Sequence, residues 1–129
     1  MDFPEDLKYS RNHEWVRVEK AEVVVGVTDY AQEELGDIVY VELPEEGEEV
    51  EKDKAFGVVE SVKATEDLYA PVSGAVVEVN SPLDDAPEMV NEDPYGDGWM
   101  IRIEMTEPAE LRDLMNAEEY KAFIAAEKE

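Results

Sequence analysis

Short apolar runs separated by turn formers fill the first hundred positions of the chain, a pattern that predicts strands. The clearest are Glu22 to Val27, Asp37 to Leu43, Phe56 to Val62, Gly74 to Asn80 and Trp99 to Glu104. His13 to Glu19 alternates apolar and polar and predicts another. Pro44, Gly47 and the pair Pro71 and Gly74 punctuate the turns. Three segments carry helical signals instead. Thr28 is placed to cap a helix through Leu35, with Gly36 just past its end. Thr106 caps a second, with Pro108 in its first turn and Leu111, Leu114 and Met115 on one face. Asn116 followed three residues later by Glu119 gives a capping-box start to a last helix carrying Tyr120, Phe123 and Ile124.

These elements predict a mainly β fold, a sandwich or flattened barrel, with a short inserted helix and C-terminal helices. Ser81 to Gly98 is rich in Pro, Gly and Asp and reads as a loop with at most one helical turn. No linker or low-complexity tract divides the chain. The expectation is one domain over 1–129, with a core at about 8–105 and a helical segment at 106–126.

Charge narrows the function classes. Thirty-five acidic residues against 11 basic ones give a net charge of −24. Such a surface repels phosphate backbones and anionic headgroups, so neither nucleic acid nor a membrane surface is an expected partner. Adaptation to high salt or a partner with a basic face would each account for the excess. The absence of cysteine excludes a disulfide scaffold, a thiol nucleophile and any Cys-based metal centre. No apolar run reaches membrane-spanning length, and the acidic start Met1 to Asp6 lacks the order of a secretion signal. A monomer in the cytoplasm is the expectation.

Within this background Lys63 stands out as the only basic residue between Lys54 and Arg102. Turn glycines flank it, Gly47 before and Gly74 after, each next to an apolar strand. This weak echo suggests two strand pairs in approximate symmetry with Lys63 on the hairpin between them. Glu60 and Asp67 leave two readings open for Lys63: a surface counter-ion, or an amine presented for covalent modification. Ser61 has no orienting base or oxyanion motif beside it, so it forms no catalytic dyad. His13 is the sole histidine and reads as a packing or hydrogen-bonding residue. Asp93 to Gly98 misses the spacing of a calcium loop.

The segment Gly57-Val58-Val59-Glu60-Ser61-Val62-Lys63-Ala64, followed by Ala70-Pro71-Val72-Ser73-Gly74, resembles the lipoyl-lysine motif of the glycine cleavage system H-protein family. Other blocks agree in the same order: His13-Glu14-Trp15, Gly26 to Gln32, Leu35 to Val39 and Val41-Glu42-Leu43-Pro44. Pro94 to Met100 and the closing Leu111, Leu114 and Tyr120 complete them. The resemblance runs from about Lys8 to Phe123.

It implies the barrel-sandwich hybrid of lipoyl and biotinyl domains, and a carrier instead of an enzyme. In that family lipoic acid is joined in amide linkage to the motif lysine, which the resemblance places at Lys63. Glu60, Gly47 and Gly74 match the features read by lipoate-attaching enzymes. The implied partners are a pyridoxal-phosphate (PLP) glycine decarboxylase that loads an aminomethyl group, a tetrahydrofolate-dependent aminomethyltransferase that unloads it, and a flavin (FAD) dihydrolipoyl dehydrogenase that reoxidises the arm. Glu14 and Asp67 are implied as carboxylates beside the loaded arm, with Asn12 as a polar contact. Relatives often carry a hydroxyl residue at position 12, so Asn12 departs from the pattern. Val62 and Ala64 in place of flanking methionines argue against biotin. Val62 in place of Asp, together with the missing linker, argues against a tethered acyltransferase domain. A lipoate-relay carrier for 2-oxoacid dehydrogenase complexes and a non-lipoylated interaction module remain as alternatives.

Overall fold

The structure, a computed structural model, describes residues 1–128. Its strands form two antiparallel sheets, neither closed on itself. The larger has six strands in the order β1 (Lys8–Tyr9), β2 (Glu14–Glu19), β3 (Glu22–Val27), β9 (Ile101–Met105), β8 (Gly74–Val79) and β5 (Glu49–Val50). The smaller has β4 (Ile38–Glu42), β6 (Ala55–Ser61) and β7 (Thr65–Tyr69). The six strands expected from apolar runs are all present, with ends moved by one or two residues.

Strand β3 explains why its sequence does not alternate. Val23, Val25 and Val27 enter the core between the sheets with Val41, Val59, Val76 and Ile103. Val24 points the other way into a second cluster of Leu7, Tyr9, Trp15, Tyr30 and Tyr120. A strand covered on both faces reads as a continuous apolar run. Gly26, opposite Trp15 in the β2–β3 register, leaves room for the indole, which lies 2.8 Å from where a Cβ would stand.

The helices follow their caps. In α1 (Asp29–Leu35) the Thr28 hydroxyl accepts the Ala31 N–H, and Gly36, at φ 79°, donates its N–H to Gln32 O. In α3 (Ala117–Lys128) the capping box closes both ways: Glu119 N–H to Asn116 Oδ1 at 2.8 Å, and Asn116 N–H to Glu119 Oε1 at 2.9 Å. The middle helix departs from expectation. Pro108–Asp113 is a 3₁₀ segment with Glu107 before it and no side-chain cap, while Thr106 donates its N–H to Ser73 O. The reason is Met115, which exchanges two backbone hydrogen bonds with Tyr9 at 2.8 Å and draws the chain into an extended bridge. Leu111 and Leu114 then reach the intersheet core and Met115 the aromatic cluster, so they share no face. The loop after β8 holds two short turns, a 3₁₀ segment Ser81–Asp84 and α2 (Met89–Glu92), one more than expected.

The predicted echo around Lys63 becomes nested pairing: β6 pairs with β7 in one sheet while β5 pairs with β8 in the other. The two glycines serve it differently. Gly47 has φ 93° with open space at its Cβ position, and its N–H donates to Val76 O. At Gly74 a Cβ would stand 2.0 Å from Glu104 O on β9. Gly47→Ala is therefore expected to cost about 1 kcal/mol of backbone strain, and Gly74→Ala about 3 kcal/mol from the clash. Urea denaturation of both variants checks the ranking, and equal losses would contradict it.

Candidate functional site

The turn joining β6 to β7 is fixed by one side chain. Ser61 Oγ accepts the N–H groups of Lys63 and Ala64, both at 3.1 Å, and Ser61 N–H donates to Ala64 O at 2.8 Å. This is the local hydroxyl-to-backbone closure typical of Ser in turns. Val62 N–H donates to Asp37 O across to the start of β4. Lys63 is exposed at the tip. Its stem lies against Gly36 at the end of α1, where a Cβ would be 3.4 Å from Lys63 Cε. Asn91 holds the segment beneath, donating to Gly36 O and accepting from Ile38 N–H, both at 2.9 Å. Ser61 and Asn91 thus position the turn, a role that their place in the sequence did not reveal. The signals were small: a hydroxyl two residues before the lysine and an Asn beside a Gly-rich loop.

A cleft of about 470 Å³ opens beside this hairpin. Leu35, next to Gly36, lines it at the Lys63 side, with Ala31, Val27, Val59 and Leu68 giving an apolar wall. The structure brings Asn12, Glu14 and Asp67 together in this cleft. Asn12 and Asp67 are exposed, whereas Glu14 is only 2% exposed. Glu60 sits at the hairpin, opposite Thr65, whose hydroxyl reaches it at 3.4 Å. Gly47 and Gly74 stand on the other sheet and not on the Lys63 turn.

Burial drives Glu14 toward its neutral form and raises its pKa from 4.5 to about 8, against the opposing hydrogen bonds from Ser10 and the Tyr69 N–H. His13 is held beside it at φ 69°. Its Nδ1 is hydrogen-bonded to Tyr120 Oη at 2.9 Å, and its Nε2 faces Glu127 at 3.2 Å. Burial lowers the His13 pKa, with Glu127 pulling the other way. Glu34, Glu66, Asp67 and Glu127 line the same cleft, so it favours a cation. Among the described residues no group of three or more His, Cys, Asp or Glu side chains is placed to hold a metal. Nor is any described helix long and apolar enough to cross a membrane.

The site thus sets an exposed lysine on a hydrogen-bonded hairpin next to a partly apolar, acid-lined cleft. Comparison with known proteins gives the family. A family model described as Glycine cleavage H-protein matches residues 7–127. The glycine cleavage system H protein of Anaeromyxobacter sp. (strain K) is 59% identical over 124 residues, covering 96% of this chain and 97% of that protein. The H protein of Halalkalibacterium halodurans is 59% identical over 126 residues, covering 98% of each. A crystal structure of the H protein from Mycobacterium marinum superposes with a TM-score of 0.87 at 40% identity, over 93% of this chain and 97% of that one. The chain belongs to the glycine cleavage H-protein family, the lipoyl-bearing carriers that work with the other components of the glycine cleavage system. The match to the solved H protein also identifies the two open sheets as the lipoyl-type barrel-sandwich.

Folding takes up a proton at Glu14 between pH 4.5 and about 8. The stability this group contributes is therefore complete below about 4.5 and is lost as pH rises through about 8. Glu14→Gln is expected to flatten the stability profile across that window, as read by urea denaturation at several pH values. An unchanged slope would show that Glu14 does not titrate there.

Proposed function

We propose that this chain is a non-catalytic carrier whose Lys63 amine is joined to lipoic acid and whose cleft shelters the loaded arm between partner enzymes. The observation that carries the reading is the placement of exposed Lys63, with its stem on Gly36, at the Leu35 side of the cleft that holds Glu14. The lipoyl group supplies the sulfur chemistry that accepts the one-carbon unit and the dithiol–disulfide couple. The rest is work for the chain's own side chains.

Lys63 presents its amine to lipoate-attaching enzymes on a turn whose backbone Ser61 has already ordered, so little conformational freedom is lost on recognition. Glu60 stands on the adjoining strand as a charge that such an enzyme can read. Gly47 and Gly74 contribute at a distance, Gly47 by its positive φ in the turn before β5 and Gly74 by letting β8 lie close to β9. In the cleft, Val27, Val59 and Leu68 exclude water from an apolar arm. Glu14 answers a cationic aminomethyl cargo: the incoming ammonium favours the carboxylate, so the proton that burial had kept is released and an ion pair forms. Held as a cation, the amine has no lone pair with which to expel the sulfur. Asp67 adds a second carboxylate from β7, and Asn12 a polar group at the rim.

In this reading a PLP-dependent glycine decarboxylase loads the carrier, a tetrahydrofolate-dependent aminomethyltransferase unloads it, and an FAD-containing dihydrolipoyl dehydrogenase resets it. The whole chain acts as one carrier unit, since α3 packs into the same aromatic cluster as β1 and β2. A monomer in the cytoplasm is the proposed setting, in line with the absence of cysteine. A lipoate relay would need the hairpin but not a cleft with a buried carboxyl, so the cleft favours the cargo-protecting role.

Intact mass and peptide mapping of protein made with lipoate available are expected to give one lipoyl increment confined to Lys63. Lys63→Ala is expected to abolish it while melting within about 2 °C of the parent, because the site is exposed. No increment in the presence of competent lipoylating enzymes would overturn the carrier reading. Asp67→Asn is expected to shorten the lifetime of the loaded carrier several-fold, as measured by ammonia and formaldehyde release. An unaltered lifetime would remove Asp67 from the protective role.

A further inference from the structure

Among the described residues Glu14 has no cation paired with it, and one side chain organises its surroundings. Ser10, 7% exposed, accepts the N–H of Asn12 at 3.2 Å and the N–H of Glu14 at 3.1 Å on its hydroxyl oxygen. Both acceptor positions of that oxygen are taken, so its single proton is free to go elsewhere. It goes to Glu14 Oε1 at 2.6 Å. The backbone closes the same loop: Ser10 N–H donates to Glu14 O at 2.9 Å and His13 N–H to Ser10 O at 3.2 Å. The other carboxyl oxygen accepts the Tyr69 N–H at 3.2 Å. Two donors therefore hold the carboxyl, one on each oxygen, where Glu14 lines the cleft. Position 12 adds only its backbone N–H to this arrangement.

We propose that Ser10 is a positioning residue for the carrier's protective carboxylate: its hydroxyl proton aims Glu14 into the cleft and stabilises the charged form that a cationic cargo requires. The inference rests on the role given to Glu14 in the proposed function. Of the other groups around Glu14, the Tyr69 backbone N–H also favours the charged form, from a longer 3.2 Å contact. Asp53, Glu34, Glu66, Asp67 and Glu127 are acids, and Asp53 in particular opposes the charged form. Tyr30 and Tyr69 line the cleft without charge, and His13 is turned to Tyr120 and Glu127. Arg11, the remaining cation at the cleft among the described residues, is exposed. A fixed dipole is the device left to offset desolvation.

The test uses the lipoylated full chain as parent, Ser10→Ala, Ser10→Thr and Glu14→Gln. Two quantities are read: the Glu14 titration by carboxyl NMR, and the lifetime of the aminomethyl-loaded carrier against pH. Ser10→Ala is expected to move the Glu14 midpoint upward by about one pH unit, and the lifetime profile by the same amount. Ser10→Thr should restore both. Should Ser10→Ala fail to fold, Ser10→Cys keeps the shape with a weaker donor and is expected to show a smaller shift in the same direction. An unmoved Glu14 midpoint in a folded Ser10 variant overturns the positioning role. A Glu14→Gln carrier that holds its cargo as long as the parent overturns the reading of Glu14 itself, an outcome the NMR titration keeps distinct.

Discussion

Strand β3 is the constraint on which the rest depends, because it is buried on both of its faces. Its odd-numbered valines close the space between the sheets, and Val24 with the gap at Gly26 seats Trp15 and the aromatic cluster. The same strand therefore holds the smaller sheet on one side and anchors α3 on the other. The chain leaves β3 at Thr28, which caps α1 and also bonds the Tyr120 hydroxyl at 2.7 Å. One short segment thus fixes the helix that forms a wall of the cleft and the helix that ties down His13. Placing Glu14 out of water depends on this double anchoring, since a carboxyl surrounded by loosely held neighbours would draw solvent in.

The charge of −24 is distributed in keeping with that architecture. Basic residues are few, and some are paired: Arg102 with Glu19, Glu22 and Glu78, and Lys52 with Asp113. These pairs sit at the surface, where each is worth little to stability. Around the cleft, by contrast, acids collect with Arg11 and His13 as the nearby basic groups. The cleft is therefore lined by more acids than bases, in keeping with the net charge of the chain.

Sequence patterning captured the strands that carry apolar side chains and missed those that do not. β7 is Thr-Glu-Asp-Leu-Tyr, with only Leu68 fully buried, and it forms because β6 offers an open edge. The two-residue strands β1 and β5 are likewise products of their partners and not of their own composition. The capping box of α3 was legible because its bonds are local. The 3₁₀ form of Pro108–Asp113 was not, because a distant residue, Tyr9, decides it through Met115. The candidate site divides the same way. Lys63 and its flanking glycines are visible as a spacing, and Glu14 and Asp67 came from family likeness. The burial of Glu14 and the grip of Ser10 and Tyr69 on it arise only when β2 and β7 are brought together.

The hydroxyl-locked turn beneath Lys63 also sets the statistics of anything attached there. With the root stationary, a flexible tether samples a small volume around a fixed point instead of one smeared by loop motion. Short flexible tethers give an effective concentration on the order of millimolar. A recess that binds its guest only weakly is then still filled most of the time, and releases it readily when a competitor docks. The rigidity of the pivot lets the shelter stay weak.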